Sequence, residues 1–136
     1  MKDKELQEKY LEFQILNQQV KQTQQQLTVL EQQIIEFKTL DDNLDEIKKT
    51  KAGKEILIPL GAGLFTKGDL KDSKEILMNV GAEVIVKKTI PEAKQIIKRQ
   101  IDQMENLVNQ MIDNLQKTAV QTQILQEDIE NLSKEE

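Results

Sequence analysis

The sequence predicts an α+β fold: a long antiparallel coiled-coil helical hairpin with two β-hairpins at its base, which must oligomerise to bury their strands. Three observations predict it. Apolar residues recur at alternating spacings of three and four in two separate stretches. All five glycines and both prolines fall between Gly53 and Pro91, where that rhythm stops. Charged residues make up 32% of the 136-residue chain and aromatics only 3%, a composition suited to helices that bury a narrow stripe. One domain spans 1–136, divided into an N-terminal helix (4–52), a central β-region (53–89) and a C-terminal helix (90–134).

In the first helix the seam reads Leu6, Lys9, Phe13, Leu16, Val20, Thr23, Leu27, Leu30, Ile34, Phe37, Asp41 and Leu44. The exceptions to its apolar character are Lys9, Thr23 and Asp41. Gln, Lys and Glu fill the positions between, strong helix formers suited to a solvated face. Lys48, Lys49 and Lys51 place cations in the last turn, where the helix dipole favours them, and Gly53 supplies the stop.

The second helix opens on Thr89-Ile90-Pro91-Glu92, a capping box with a proline in the turn that lacks hydrogen-bond acceptors for its donors. Its seam reads Ile90, Lys94, Ile97, Ile101, Met104, Val108, Met111, Leu115, Thr118, Thr122, Leu125, Ile129 and Leu132. Two stripes of about 45 residues, each about 65 Å at 1.5 Å per residue, zip antiparallel because neither has another partner within the chain. Thr23 on one side and Thr118 and Thr122 on the other are weak layers expected to fall opposite each other.

The centre reads as four short strands. Glu55–Leu60 and Ala62–Thr66 are separated by a turn near Gly61. A second turn follows at Gly68-Asp69, and then Lys74–Val80 and Glu83–Lys87 are joined at Gly81-Ala82. Isolated hairpins are marginal in water. Yet Ile56-Leu57-Ile58 and Ile76-Leu77-Met78 are nearly continuous apolar runs, the pattern of strands covered on both faces. Strands from other subunits would cover them and pair their open edges, forming a shared β-platform. The alternative is a lone hairpin whose strands fold back on their own helix base.

Several function classes lack their chemistry here. There is no cysteine and no histidine, which leaves no thiolate, zinc-ligand or imidazole chemistry; no cofactor and no metal is expected. The net charge is −5 and Arg99 is the single arginine, a poor match to the phosphate backbone, so no nucleic acid is expected. No apolar run approaches the roughly 20 residues of a membrane span, and the start Met1-Lys2-Asp3-Lys4-Glu5 lacks the apolar core of a signal peptide; no membrane and a cytoplasmic location are expected. Gly61-Ala62-Gly63 opens a strand rather than a helix, and Lys51-Ala52-Gly53-Lys54 lacks the strand and spaced glycine of a phosphate loop. Asp41/Asp42 and Asp128/Glu130 read as solubilising carboxylates rather than a catalytic pair, and Gln24-Gln25-Gln26 as a helix face. No enzyme is expected.

The stretches Ile56-Leu-Ile-Pro-Leu-Gly-Ala-Gly-Leu-Phe-Thr-Lys-Gly-Asp-Leu70 and Ile76-Leu-Met-Asn-Val-Gly-Ala-Glu-Val-Ile-Val-Lys-Lys-Thr-Ile90, set between two heptad helices, closely resemble the α-type subunits of prefoldin. Pro59, Gly61, Gly63, Phe65 and Gly68 match the first half of that family's pattern. The second half departs at Glu83, where the family often has glycine, at Val84 and Ile85, which replace aromatics, and at Lys87, which replaces the usual glutamate. The resemblance implies a hexamer of two α-type and four prefoldin β-type subunits, with a shared double β-barrel body and six coiled-coil arms. It implies ATP-independent holding of unfolded polypeptide clients and their delivery to a group II chaperonin. A structural tether or scaffold subunit of the same architecture, with no client binding, is the alternative.

Given that resemblance, holding clients requires dispersed apolar groups within reach of an unfolded chain. In an antiparallel hairpin they are expected where both chain ends meet and the coil frays: Leu6, Tyr10, Leu11, Phe13, Ile15 and Leu16 on one helix, and Ile124, Leu125, Ile129 and Leu132 on the other. Assembly is expected to use Ile56, Leu57, Ile58, Pro59, Leu60, Leu64, Phe65, Ile76, Leu77, Met78, Val80, Val84, Ile85 and Val86. The acidic tail from Glu127 to Glu136 reads as a solvated helix end or, alternatively, as a contact for a basic patch on a chaperonin.

Overall fold

The computed structural model describes residues 2–134. Elements follow the order α1 (Lys2–Lys49), β1 (Glu55–Gly61), β2 (Leu64–Asp69), β3 (Glu75–Asn79), β4 (Ile85–Thr89) and α2 (Ile90–Lys134). β1 pairs with β2 and β3 with β4, both antiparallel, as two separate two-stranded sheets. The chain forms two compact units: one holds the residues up to Ile34 and from Gln103, the other holds Ile35–Asp102.

Every seam position predicted from the heptads is buried or half-buried, and most residues between them are exposed. In the unit containing both chain ends, Lys9 of α1 meets Asp128 of α2 while Leu30 lies by Leu107 and Met111, so the helices run antiparallel. In the other unit, Leu44, Ile90, Ala93 and Ile97 form a buried cluster, flanked by Phe37, Ile47, Ile76, Met78 and Ile101. Ala93 lies outside the predicted seam, and as a fully buried small residue it lets the helices approach where β3 also packs.

The charged seam residues have a common explanation. Lys9 forms an ion pair with Asp128 at 3.3 Å, and Lys94 hydrogen-bonds Asp45 while lying 3.8 Å from Asp41. Asp41 and Asp128, read from sequence as merely solubilising, therefore face lysines on the opposite helix. Charges within a seam match in only one register, which a purely apolar stripe does not enforce.

Both helix ends are closed by local chemistry. The Thr50 amide donates to the carbonyls of Glu46 and Ile47, each at 3.1 Å, and its hydroxyl donates to Glu46 O at 2.8 Å. These bonds end α1 at Lys49, so Lys51 lies outside the last turn. Gly53, at φ 89°, instead donates its amide to Leu70 O and begins the first hairpin. At α2, the Thr89 hydroxyl accepts from the Glu92 amide at 3.3 Å, as the capping box predicts. The Ile90 amide donates to Lys74 O at 3.1 Å, which fixes the start of the helix to the strand beside it.

The expected turn at Gly68-Asp69 is not a turn. Gly68 pairs with Ile56 and Asp69 with Glu55, so β2 runs two residues further than the breaker residues indicate. Pairing with β1 carries the strand through the glycine, and the tip of the Ile58 side chain lies over it, 2.8 Å from where a Cβ would sit. The actual β1–β2 turn is Ala62-Gly63, both at positive φ (50° and 78°), between the paired Gly61 and Leu64. The second turn comprises Ala82 at φ 49° and Glu83 at φ 63°, closed by Val84 N to Gly81 O at 2.9 Å. This shifts β4 to Ile85–Thr89, two residues beyond its expected start. Paired positive φ values suit the twist of a hairpin but strain residues other than glycine.

Two predictions follow from these contacts. Glu83→Gly relieves a left-handed residue and should raise stability in denaturant titration by about 1 kcal/mol; a loss of stability would show that the Glu83 side chain compensates for its backbone. The second concerns pH. The hydrogen bond from Lys94 holds the Asp45 carboxyl below its ordinary range against an opposing effect of desolvation, and the same bond holds the Lys94 ammonium above its own. A depressed carboxylate adds stability that is complete above its unfolded pKa and fades as pH falls through the folded one; the raised lysine adds stability lost only in strong alkali. Asp45→Asn should therefore melt below the parent protein at pH 7, with the gap narrowing below about pH 4. A gap that is constant across that acid range would refute the linkage.

Candidate functional site

In the unit holding both chain ends, the heptad decides which apolar residues face out. Leu6, Phe13 and Leu16 are half-buried seam residues of α1, met by Leu125, which is 8% exposed, and by half-buried Ile129 and Leu132. Tyr10, Leu11, Ile15 and Ile124 lie off the seam and remain 55%, 58%, 48% and 55% exposed. The ten residues expected to meet a client are thus six that close the coil and four presented to solvent.

These four do not form one pocket. Leu6, Tyr10 and Leu11 line a shallow apolar depression on α1 with the aliphatic parts of Gln7 and Gln14. Leu16, Ile124 and Leu125 line a second depression between the helices, rimmed by Lys9, Glu12, Gln121 and Asp128. The polar rim is partly spent on the Lys9–Asp128 pair. The sequence reading missed Val120, 57% exposed on α2, because an isolated apolar residue off the heptad has no periodic signal. Of the acidic tail, Glu135 and Glu136 lie outside the described residues, as does Met1 at the other end.

The β-region divides just as clearly. In the β3–β4 hairpin, Ile76, Met78 and Val86 share one half-buried face, and Ile76 and Met78 pack on the helix cluster of the same chain. Leu77 and Ile85 occupy the opposite face, 69% and 62% exposed, with Val80 and Val84 exposed at the turn. The strands thus fold back on their own helix base through one face only. The β1–β2 hairpin has less cover still: Leu57, Ile58, Leu60, Leu64 and Phe65 are all exposed, Pro59 is exposed beside them, and of its large apolar side chains only Ile56 is half-buried. Leu57 and Pro59 lie opposite Lys67 and Phe65 on one face, where Lys67 also forms an exposed ion pair with Glu55 at 3.7 Å.

Backbone hydrogen bonds show which edges are open. Leu70 N donates to Lys54 O and the bonding alternates along the strand, so the backbone of Glu55, Leu57 and Pro59 turns toward the free edge of β1. Proline has no donor, so that edge is interrupted at residue 59, while the β2 edge keeps a donor at every outward position.

Little here resembles catalytic machinery. Among the described residues the acidic trio Asp41, Asp42 and Asp45 brings three carboxylates together, but the Lys94 ammonium lies among them as counter-ion. No helix of the described residues is long and apolar enough to cross a membrane.

Comparison with known proteins fits this geometry. Residues 16–135 match the family model described as prefoldin subunit. The chain is 30% identical to the prefoldin subunit alpha of Methanococcus vannielii over 86% of its own length and 78% of the relative's. It is 31% identical to that of Archaeoglobus fulgidus over 93% of both chains. In three dimensions it is similar to a chain from the cryo-EM structure of filamentous PFD from Methanocaldococcus jannaschii, with a TM-score of 0.74 at 15% identity, covering 82% of this chain and 93% of that one. With heptad seams, paired β-hairpins and a match spanning nearly its whole length, the chain belongs to the prefoldin family.

Proposed function

We propose that the chain is a subunit of an ATP-independent holdase, which captures non-native polypeptides at its coiled-coil tip and delivers them to a group II chaperonin. Family membership supports the role of a chaperone subunit in general, within a family of chaperones rather than enzymes. The observation that carries the finer reading is the exposure of Tyr10, Leu11, Ile15 and Ile124 in the unit where both chain ends meet. These side chains sit among polar neighbours, and each offers apolar surface to an unfolded chain. Several tips acting together convert weak contacts into useful avidity.

Prefoldin alpha subunits assemble into oligomeric complexes. For this chain the proposed assembly is a heterohexamer of two such subunits and four β-type subunits, closed through a shared β-barrel. Support comes from Leu57, Leu60, Leu64, Phe65, Leu77 and Ile85, which the single chain leaves exposed on short strands with open edges. Each such side chain gains about 1.5–3 kcal/mol when fully buried. A filament, the form named for the structural relative from Methanocaldococcus jannaschii, is the competing arrangement.

Two measurements test this reading. Replacing Leu11, Ile15 and Ile124 together with glutamine should reduce suppression of aggregation several-fold in the assembled complex. Each change is at an exposed helical site and should alter stability by no more than about 0.5 kcal/mol. Undiminished suppression removes the tip from the function, and no suppression by the unaltered complex favours the scaffold reading. Separately, Phe65→Lys with Leu77→Lys should abolish the hexamer in native mass spectrometry while circular dichroism still reports the helices. A hexamer that survives both changes places assembly elsewhere.

A further inference from the structure

The glutamine-rich part of α1 has no role in the account given so far. It lines one flank of the helix pair in the unit containing both chain ends. The depression at Leu16 and Ile124 includes Gln121, and Gln121 also borders a second groove with Gln19, Gln22, Gln26 and Asn114. Gln22 and Gln26 in turn belong to a third groove, floored by Val29, Leu30, Leu107 and Met111. Through these shared residues the three grooves adjoin end to end along one flank, and they are taken together as a trough. From Glu12 to Gln33 it runs about 30 Å along α1 at 1.5 Å per residue.

Its chemistry is specific. Beyond Glu12 the α1 side carries no charge, and on α2 from Leu107 to Gln121 the one charged lining residue, Lys117, is paired with Asp113 on its own helix at 3.3 Å. The heptad places Lys21 and Glu31 on the other flank. A carboxamide both donates and accepts, as does a peptide group, so glutamines along the two walls can follow a backbone without selecting its sequence. Half-buried Leu30 and Met111, with exposed Val29 and Leu107 beside them, offer apolar surface on which side chains can rest. Past Glu12 and Asp128 at its outer end, Lys117 is the one charge lining the trough, so it best matches a segment without charge, the kind normally buried in a folded core and exposed only in a non-native protein.

From this we infer that the trough is a second client site, which holds an uncharged, extended segment of about nine or ten residues, at 3.3 Å per residue, leading inward from the tip. The inference rests on the proposed holding function and extends it from a terminal patch to a track.

The test uses the complete chain in its assembled complex and, as client probe, reduced and carboxamidomethylated α-lactalbumin, which cannot refold. Gln22→Glu with Gln26→Glu keeps side-chain size and helix propensity but puts two charges in the trough. Asn17→Asp with Gln24→Glu puts the same charge on the opposite flank. Binding should weaken about tenfold in the first variant and less than twofold in the second, and a photo-crosslinker at position 26 should label the probe while one at position 24 does not. Equal effects from the two pairs, or none from the first, overturn the inference. So does a change in complex mass with the trough pair alone, which would make the trough a surface for another helix. Loss of binding in the Leu11/Ile15/Ile124 variant with normal response in both glutamine pairs keeps the tip and rejects the track; the reverse pattern keeps the track and rejects the tip.

Discussion

The apolar seam shared by α1 and α2 is narrow, and that narrowness governs the rest of the molecule. A stripe two residues wide per heptad is fully consumed by one partner helix, which leaves nothing with which to bury a third element along most of the pair. Helix flanks must therefore be solvated, and they are: glutamine, lysine and glutamate fill them. The strands find cover from their own chain at the buried cluster of Leu44, Ile90, Ala93 and Ile97. The β3–β4 hairpin takes that place with Ile76 and Met78, and nothing comparable remains for β1–β2. An exposed apolar hairpin is thus a direct consequence of a fold that spends its apolar residues in pairs.

Charges inside the seam sharpen this arrangement. An uninterrupted apolar stripe tolerates slippage by a heptad, since each layer resembles the next. Lys9 against Asp128 and Lys94 against Asp41 and Asp45 match in one alignment only. Their contribution lies more in specifying register than in raw stability, because half-exposed pairs are screened by solvent. Register matters here because the β-hairpins leave from the helix ends: an offset at the seam would displace Thr89 and the strand that α2 continues.

The same economy explains how one chain offers two kinds of surface. Around the tip, apolar side chains are scattered singly or in shallow depressions among polar neighbours, which favours transient contact. On the β-hairpins they are crowded on short strands with open edges, which favours permanent association. Both surfaces are apolar, and their density and backbone separate them. Proline at position 59 adds direction, since it interrupts one edge of the first hairpin and leaves the other with its donors.

Sequence alone determined the elements governed by period and composition. The two seams are legible position by position, because a repeat of three and four has one structural solution and each position is tested by its neighbours; the buried Ala93 beside the seam is the exception. The capping box at Thr89 and Glu92 is equally local, and so is the number of strands. What the sequence left undecided depended on partners distant along the chain. Gly68 looks like a turn residue but belongs to a strand, since its pairing with Ile56 on the strand opposite decides its conformation. Ile76-Leu77-Met78 gives no sign of which face its own helices cover. The lysines and aspartates of the seam looked like exceptions until the opposite helix supplied their counter-charges. The trough's walls recur at heptad spacing on each helix, at Gln19, Gln26 and Gln33 and at Leu107, Asn114 and Gln121, but only the antiparallel alignment of the two helices brings Gln22 and Gln26 beside Asn114.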